Sequence, residues 1–226
     1  MIYTAIGDSI TYGDNASSPR LSYPHLTVSA YNRSNPRIIK GYVLARSGWT
    51  SGNLLDAVLW QGSEMIKRSS VVSVWIGGVD LANAAITPLV QGGPFPNMEQ
   101  LVQFRRNLSA ILGHIRKTSS ARIVCCTQYN PFPNSSIAVE WIGRLNQTTQ
   151  GIAAVYGAKI APAHKWFEGK QAELIDGYRE GQVEDILGGT MPIHPNDRGH
   201  RVIANGLGPV LFPQSKVSSK KKQNGR

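Results

Sequence analysis

The chain predicts an α/β fold in which a parallel sheet of five strands is covered by helices on both faces. Three observations carry this. Short β-branched runs alternate with longer stretches of helical period, the pattern of strand-helix-strand units. The runs "VVSVWIG" and "ARIVCCT" are apolar almost throughout, as strands buried on both faces are. Finally, 226 residues with 41% hydrophobic and 17% charged composition suffice for one domain with its own core.

In chain order, the first strand is expected over residues 2–7, ending abruptly at Gly7-Asp8-Ser9. A helix around Tyr23 to Tyr31 completes the first crossover, and a second strand covers 37–45. A helix over 51–69 leads to a third strand at 71–77. The Pro- and Gly-rich segment "TPLVQGGPFPN" (87–97) is then expected as a loop insertion. Helical period is clearest in "MEQLVQFRRNLSAILGHIRKTS", where Leu101, Phe104, Leu108, Ile111, Leu112 and Ile115 share one face. A fourth strand at 121–127, a helix over 136–156, a fifth strand near 158–162 and a helix over 197–210, capped by Asn196 or Asp197, complete the series. There is no internal repeat. Residues 1–213 form the single expected domain.

The formal charge is +10, but Lys216, Lys220, Lys221, Lys222 and Arg226 lie in the last eleven residues, so +5 remains for the rest. The segment 214–226 has no apolar periodicity and is expected as a disordered basic tail, attracted weakly to anionic surfaces. No nucleic-acid-reading motif accompanies it, and no specific nucleic-acid partner is expected. No run of eighteen apolar residues offers a membrane span. Cys125 and Cys126 are adjacent, cannot form an ordinary long-range bridge, and are expected to pack as small hydrophobes, which fits a reducing, cytoplasmic setting. Histidines 25, 114, 164 and 200 are scattered singly, so neither a metal site nor a cofactor is expected. Oligomeric state is not legible.

In an open parallel sheet, ligands bind beyond the carboxyl ends of the strands, where strand order reverses. Gly7-Asp8-Ser9, Ser47-Gly48, Gly77-Gly78 and Gln128-Tyr129-Asn130 each follow a strand and so converge on one rim. On such a rim an ester-cleaving serine needs a base, a group that orients the base, and donors for the oxyanion. Ser9 is either such a nucleophile or the first polar residue of a turn. His194 in "MPIHPNDRGH" is the available base, in a loop just before a capped helix.

The blocks "IGDSITYG" at 6–13, "SGWTS" at 47–51, "IGGVDL" at 76–81 and "IHPNDRGH" at 193–200 resemble those of the SGNH, or GDSL-type, hydrolase family, in order and over nearly the whole chain before the tail. The resemblance implies a flavodoxin-like three-layer α/β/α fold with a five-stranded parallel sheet and hydrolysis of a small acyl ester. It also implies Ser9 as nucleophile, His194 as base, and the N–H groups of Ser9 and Gly48 as oxyanion donors. Asp8, Gly78, Asp80, Asn83 and Asn130 are candidate pocket residues, with Asp8 as a structural acceptor in the elbow.

Two departures stand out. Where the family reads Gly-x-Asn-Asp, this chain reads Gly77-Gly78-Val79-Asp80, so an oxyanion amide is replaced by Val79; Asn83 or Asn130 is the candidate substitute. Where the family reads Asp-x-x-His, the residue three before His194 is Met191, a weak acceptor at best. A main-chain carbonyl is the first candidate to hold Nδ1–H of His194, with Asp176, Asp185 and Asp197 as the carboxylates in range. The expectation is therefore a serine esterase of low activity working through a Ser-His dyad. The alternative is a non-catalytic descendant of the fold that binds an acylated or carbohydrate ligand.

Overall fold

The structure, a computed structural model, describes residues 1–91, 98–188 and 191–213. Five strands, β1 (Ile2–Gly7), β2 (Lys40–Ala45), β3 (Val71–Trp75), β4 (Arg122–Cys126) and β5 (Lys159–Ala161), form one sheet in the order β2-β1-β3-β4-β5, with every neighbouring pair parallel. The helices are α1 (Ser9–Tyr12), α2 (Tyr23–Ser34), α3 (Ser51–Trp60), α4 (Ser63–Lys67), α5 (Gly78–Gln91), α6 (Met98–Thr118), α7 (Ser136–Val155), α8 (Ala163–Phe167), α9 (Gln171–Leu174) and α10 (Asp197–Leu211).

Because successive strand residues point to opposite faces, the sheet carries two cores. Tyr3, Ala5, Val71, Val124 and Cys126 pack with Tyr23 of α2, Phe167 of α8, and Ile203 and Leu207 of α10. Ile6, Val72, Val74, Ile123 and Cys125 pack with Leu54 and Val58 of α3, Phe104, Leu108 and Ile111 of α6, and Leu145 of α7. The result is the three-layer α/β/α arrangement. Cys125 and Cys126 fall on opposite faces, each buried and unbridged, and fill space as small apolar groups.

Several expected boundaries move, for local reasons. The helix expected over 51–69 is two helices, because Gly62 closes against Leu44 so tightly that a β-carbon would overlap the leucine side chain. The second strand begins at Lys40 rather than 37, since Asn32 of α2 takes both backbone groups of Ile39 with its side-chain amide. The third strand stops at Trp75, two residues short of Gly77, whose φ of 120° is open only to glycine. Residues 87–91 are not loop but the end of α5, carried by the Ala-rich run that precedes them. Residues 92–97 and 214–226, the rest of that expected loop and the basic tail, lie outside the described residues.

Strand order reverses between β1 and β3, which places the carboxyl end of β1 at the switch point of the sheet. Ser9 stands there.

Candidate active site

The turn that presents Ser9 is built from close packing. A β-carbon on Gly7 would overlap the Trp75 carbonyl oxygen and the Thr11 side chain, so only glycine lets β1 end against β3. The Asp8 N–H then donates to the same Trp75 oxygen at 3.2 Å, and the Asp8 carboxylate caps α1 by accepting from the Ile10 N–H at 3.2 Å. Burial pushes the Asp8 carboxyl up to about 7, against the capping N–H that favours its charged form. Among the described residues its second oxygen has no hydrogen-bond partner, and the Gln128 amide nitrogen, likewise without one, faces the same spot beside Gly78. The other end of that amide is engaged, accepting from Trp75 Nε1 at 2.6 Å.

Ser9 is the first residue of α1 and its side chain is buried. Gly48 lies in the exposed turn after β2, closed by Trp49 N–H to the Arg46 carbonyl at 3.3 Å, with φ at 77°. Neither the Ser9 nor the Gly48 N–H is used in a hydrogen bond among the described residues. Asp80 steadies this turn from below: it accepts from the Ser51 N–H at 2.8 Å and the Ser51 hydroxyl at 2.5 Å, and so holds the start of α3.

His194 comes from the far end of the chain. Its backbone is held from three sides: its carbonyl accepts from Asp176 N–H at 2.9 Å, Ile175 and Pro195 form an antiparallel bridge, and the Tyr129 hydroxyl donates to the Ile193 carbonyl at 2.5 Å. Tyr129 is itself stacked on Phe167 with centroids 4.0 Å apart. The ring's Nε2 lies 2.9 Å from Ser9 Oγ. Burial holds the imidazole below the usual histidine range, opposed by the carboxylates of Asp14 and Asp176, so the ring is neutral at pH 7 with a lone pair to offer.

The other sequence candidates are placed as follows. Met191 is 52% exposed and turns its side chain to solvent. A main-chain carbonyl is the first sequence candidate to hold Nδ1 of His194; among the described residues none does so, and the Ile193 and His194 carbonyls accept instead from the Tyr129 hydroxyl and the Asp176 N–H. Val79 is the second residue of α5, half-buried, and Asn83 one turn further is exposed. Asn130 uses its side-chain oxygen on the Phe132 N–H. Asp185 gathers the N–H groups of Glu180, Gly181 and Gln182. Asp197 is not the cap of α10, a role Asn196 takes; it accepts instead from the backbone and hydroxyl of Ser17. Histidines 25, 114 and 164 each pair with a Ser or Thr hydroxyl, and among the described residues no cluster of His, Cys, Asp or Glu is suited to a metal ion.

Sequence reasoning missed two residues here. Asp14 places Oδ2 3.9 Å from His194 Nε2 while accepting from the Ser47 hydroxyl at 2.5 Å. His200 is fully buried, stacked on Tyr23; its Nδ1 accepts from the Tyr23 N–H, so its Nε2–H donates to the Asp14 carbonyl at 3.2 Å. Neither contact has a signature in spacing, since Asp14 and His194 are 180 residues apart.

A model of the GDSL-like lipase/acylhydrolase family matches residues 5–202. The spore germination lipase LipC of Bacillus licheniformis is 22% identical over 212 residues, covering 91% of this chain and 93% of that protein. Among solved structures, the lipase Lip_vut3 from a goat rumen metagenome superposes with a TM-score of 0.77 at 21% identity, over 92% of this chain and 95% of that one. A catalytic mutant of Axe2, an acetylxylan esterase from Geobacillus stearothermophilus, gives 0.71 at 15% identity over 94% of each.

Proposed function

From the premise that the chain belongs to the GDSL-like lipase/acylhydrolase family, we propose that it hydrolyses small acyl esters through Ser9 and His194. The observation that carries the reading is the 2.9 Å approach of His194 Nε2 to Ser9 Oγ, with the base neutral and the nucleophile buried at the switch point of the sheet.

Ser9 Oγ attacks the acyl carbon as its proton passes to Nε2. The carbonyl oxygen becomes an oxyanion, and the N–H groups of Ser9 and Gly48, both uncommitted, are the donors offered to it. Nε2–H protonates the departing alcohol oxygen as its bond to carbon breaks. Water then repeats the sequence on the acyl-serine and releases the acid. Val79 adds no donor, and loss of one such group costs about 3 to 4 kcal/mol, or about 100- to 1000-fold in rate. Low turnover on ordinary esters is the consequence.

The test is slow hydrolysis of p-nitrophenyl acetate, abolished by Ser9→Ala and by His194→Ala, together with stoichiometric fluorophosphonate labelling that Ser9→Ala removes. Turnover that survives Ser9→Ala overturns the assignment. A folded chain with neither labelling nor turnover favours a ligand-binding descendant of the fold, the reading that the replacements at Val79 and Met191 support.

A further inference from the structure

His194 has lost the carboxylate at the position three residues before it, yet a different one stands beside its reacting nitrogen. Asp14 follows directly on the turn that carries the nucleophile, with its N–H bonded to the Ser9 carbonyl at 3.0 Å. Its Oδ2 lies between the Ser47 hydroxyl, at 2.5 Å, and His194 Nε2, at 3.9 Å. The side chains of His194 and Asp14 are only 17% and 21% exposed, so solvent screens the pair far less than it would at the surface.

The turn around Asp14 is secured by groups that have no other evident task. Asn15 has φ at 62°, the only positive φ of a non-glycine among the described residues, a conformation that persists where surrounding contacts over-determine it. Those contacts are present: Asn15 donates to the Asp176 carboxylate at 2.6 Å, Ser17 bonds Asp197, and buried His200 donates to the Asp14 carbonyl.

We propose that Asp14 is the charge partner of His194, a positioning residue that approaches from the nucleophile's side and supplies the charge stabilisation that the residue at 191 does not. The proposal rests on the reading of Ser9 and His194 given above. At 3.9 Å the carboxylate does not occupy the Nε2 lone pair, which stays directed at Ser9. Once Nε2 has taken the serine proton, the same short separation becomes an ion pair, at the atom where the positive charge appears and only while it is present. An acid on Nδ1 fixes the ring from behind; Asp14 acts from in front, and the loop backbone does the fixing.

The ionisable groups facing His194 are Asp14 after α1, Asp176 after α9, and His200 of α10. Asp14 and Asp176 raise the tendency of the ring to take a proton, against burial. Removing the Asp14 charge makes the imidazole harder to protonate, so the base stays neutral to a lower pH and the acid limb of the rate profile moves down.

The experiment is a proton NMR titration of the His194 ring in the full chain, in wild type and in Asp14→Asn, Asp176→Asn and Ser47→Ala. Asp14→Asn should lower the midpoint by about one pH unit. Ser47→Ala, which removes the tether but keeps the charge, should leave it within about 0.3 of a unit, since the nearby charge dominates. On p-nitrophenyl acetate, Asp14→Asn should reduce kcat about 10- to 100-fold with KM little changed, with the acid limb displaced downward and partial recovery in Asp14→Glu. An unchanged midpoint in Asp14→Asn overturns the proposal, as does a larger shift in Asp176→Asn. Should Asp14→Asn lose its dispersed spectrum, Asp14→Ser makes the same measurement with a hydroxyl left to pair with Ser47. Because the titration needs no turnover, an inert wild type would defeat the esterase reading and leave this one testable.

Discussion

The Ser9 turn, residues 7–17, and the histidine loop, residues 191–196, contribute one side chain each to the same contact but are held by opposite means. In the first, side chains do the holding: Asp8 caps α1, Asp14 takes Ser47, Asn15 takes Asp176 and Ser17 takes Asp197. In the second, the backbone is fastened by the Asp176 N–H, the Tyr129 hydroxyl and the Ile175–Pro195 bridge, while among the described residues the ring itself bonds only to Ser9. The Ser9 turn is pre-organised by packing, by caps and by Asp176, Asp197 and His200 from the elements that flank the loop, whereas the loop is fastened to its own neighbours through the backbone.

That asymmetry can be broken most severely at Gly7. In Gly7→Ala the new β-carbon meets the Trp75 carbonyl and Thr11, so β1 must part from β3 beneath Ser9. Destabilisation of about 1 to 3 kcal/mol is expected. Calorimetry should show Tm lowered by roughly 3 to 10 °C, and ester turnover should fall below detection; a full-rate variant would show that the turn is not the rigid partner.

Each half of the site can also be repaired separately. Val79→Asn offers an amide to the oxyanion side, whereas Met191→Asp places a carboxylate on a side chain that is half-exposed. Steady-state kinetics should give a gain of up to about 100-fold for the first and less than about tenfold for the second, because an acid in solvent is well screened. The reverse order would mean that the residue at 191 turns inward and that the loop, not the nucleophile side, limits turnover.

The smallest effect is expected at Tyr129. Tyr129→Phe keeps the stack on Phe167 but leaves the Ile193 carbonyl without its donor. A loss of about 1 kcal/mol in stability, seen as a Tm lower by roughly 2 to 4 °C, should accompany a fall in kcat of about tenfold or less as the base wanders. No change in kcat would show that the other two ties suffice to hold the loop.

Much of this molecule follows from its sequence read locally. Alternating apolar runs and helical periods give five parallel strands covered on both faces, and the residues ending those strands, Ser9, Gly48 and Gly78 among them, therefore gather on one rim, because periodicity and chain punctuation are properties of neighbours. What orders that rim came from the tertiary structure alone. Asn196 rather than Asp197 caps α10, Asp185 and Asp197 are turned to structural tasks, and Asp14 stands beside His194 although nothing in its spacing points there. A carboxylate's partner depends on how loops far apart in the chain cross at the rim, and those crossings are fixed by packing such as Gly7 on Trp75 and His200 on Asp14, contacts between residues that share no local pattern.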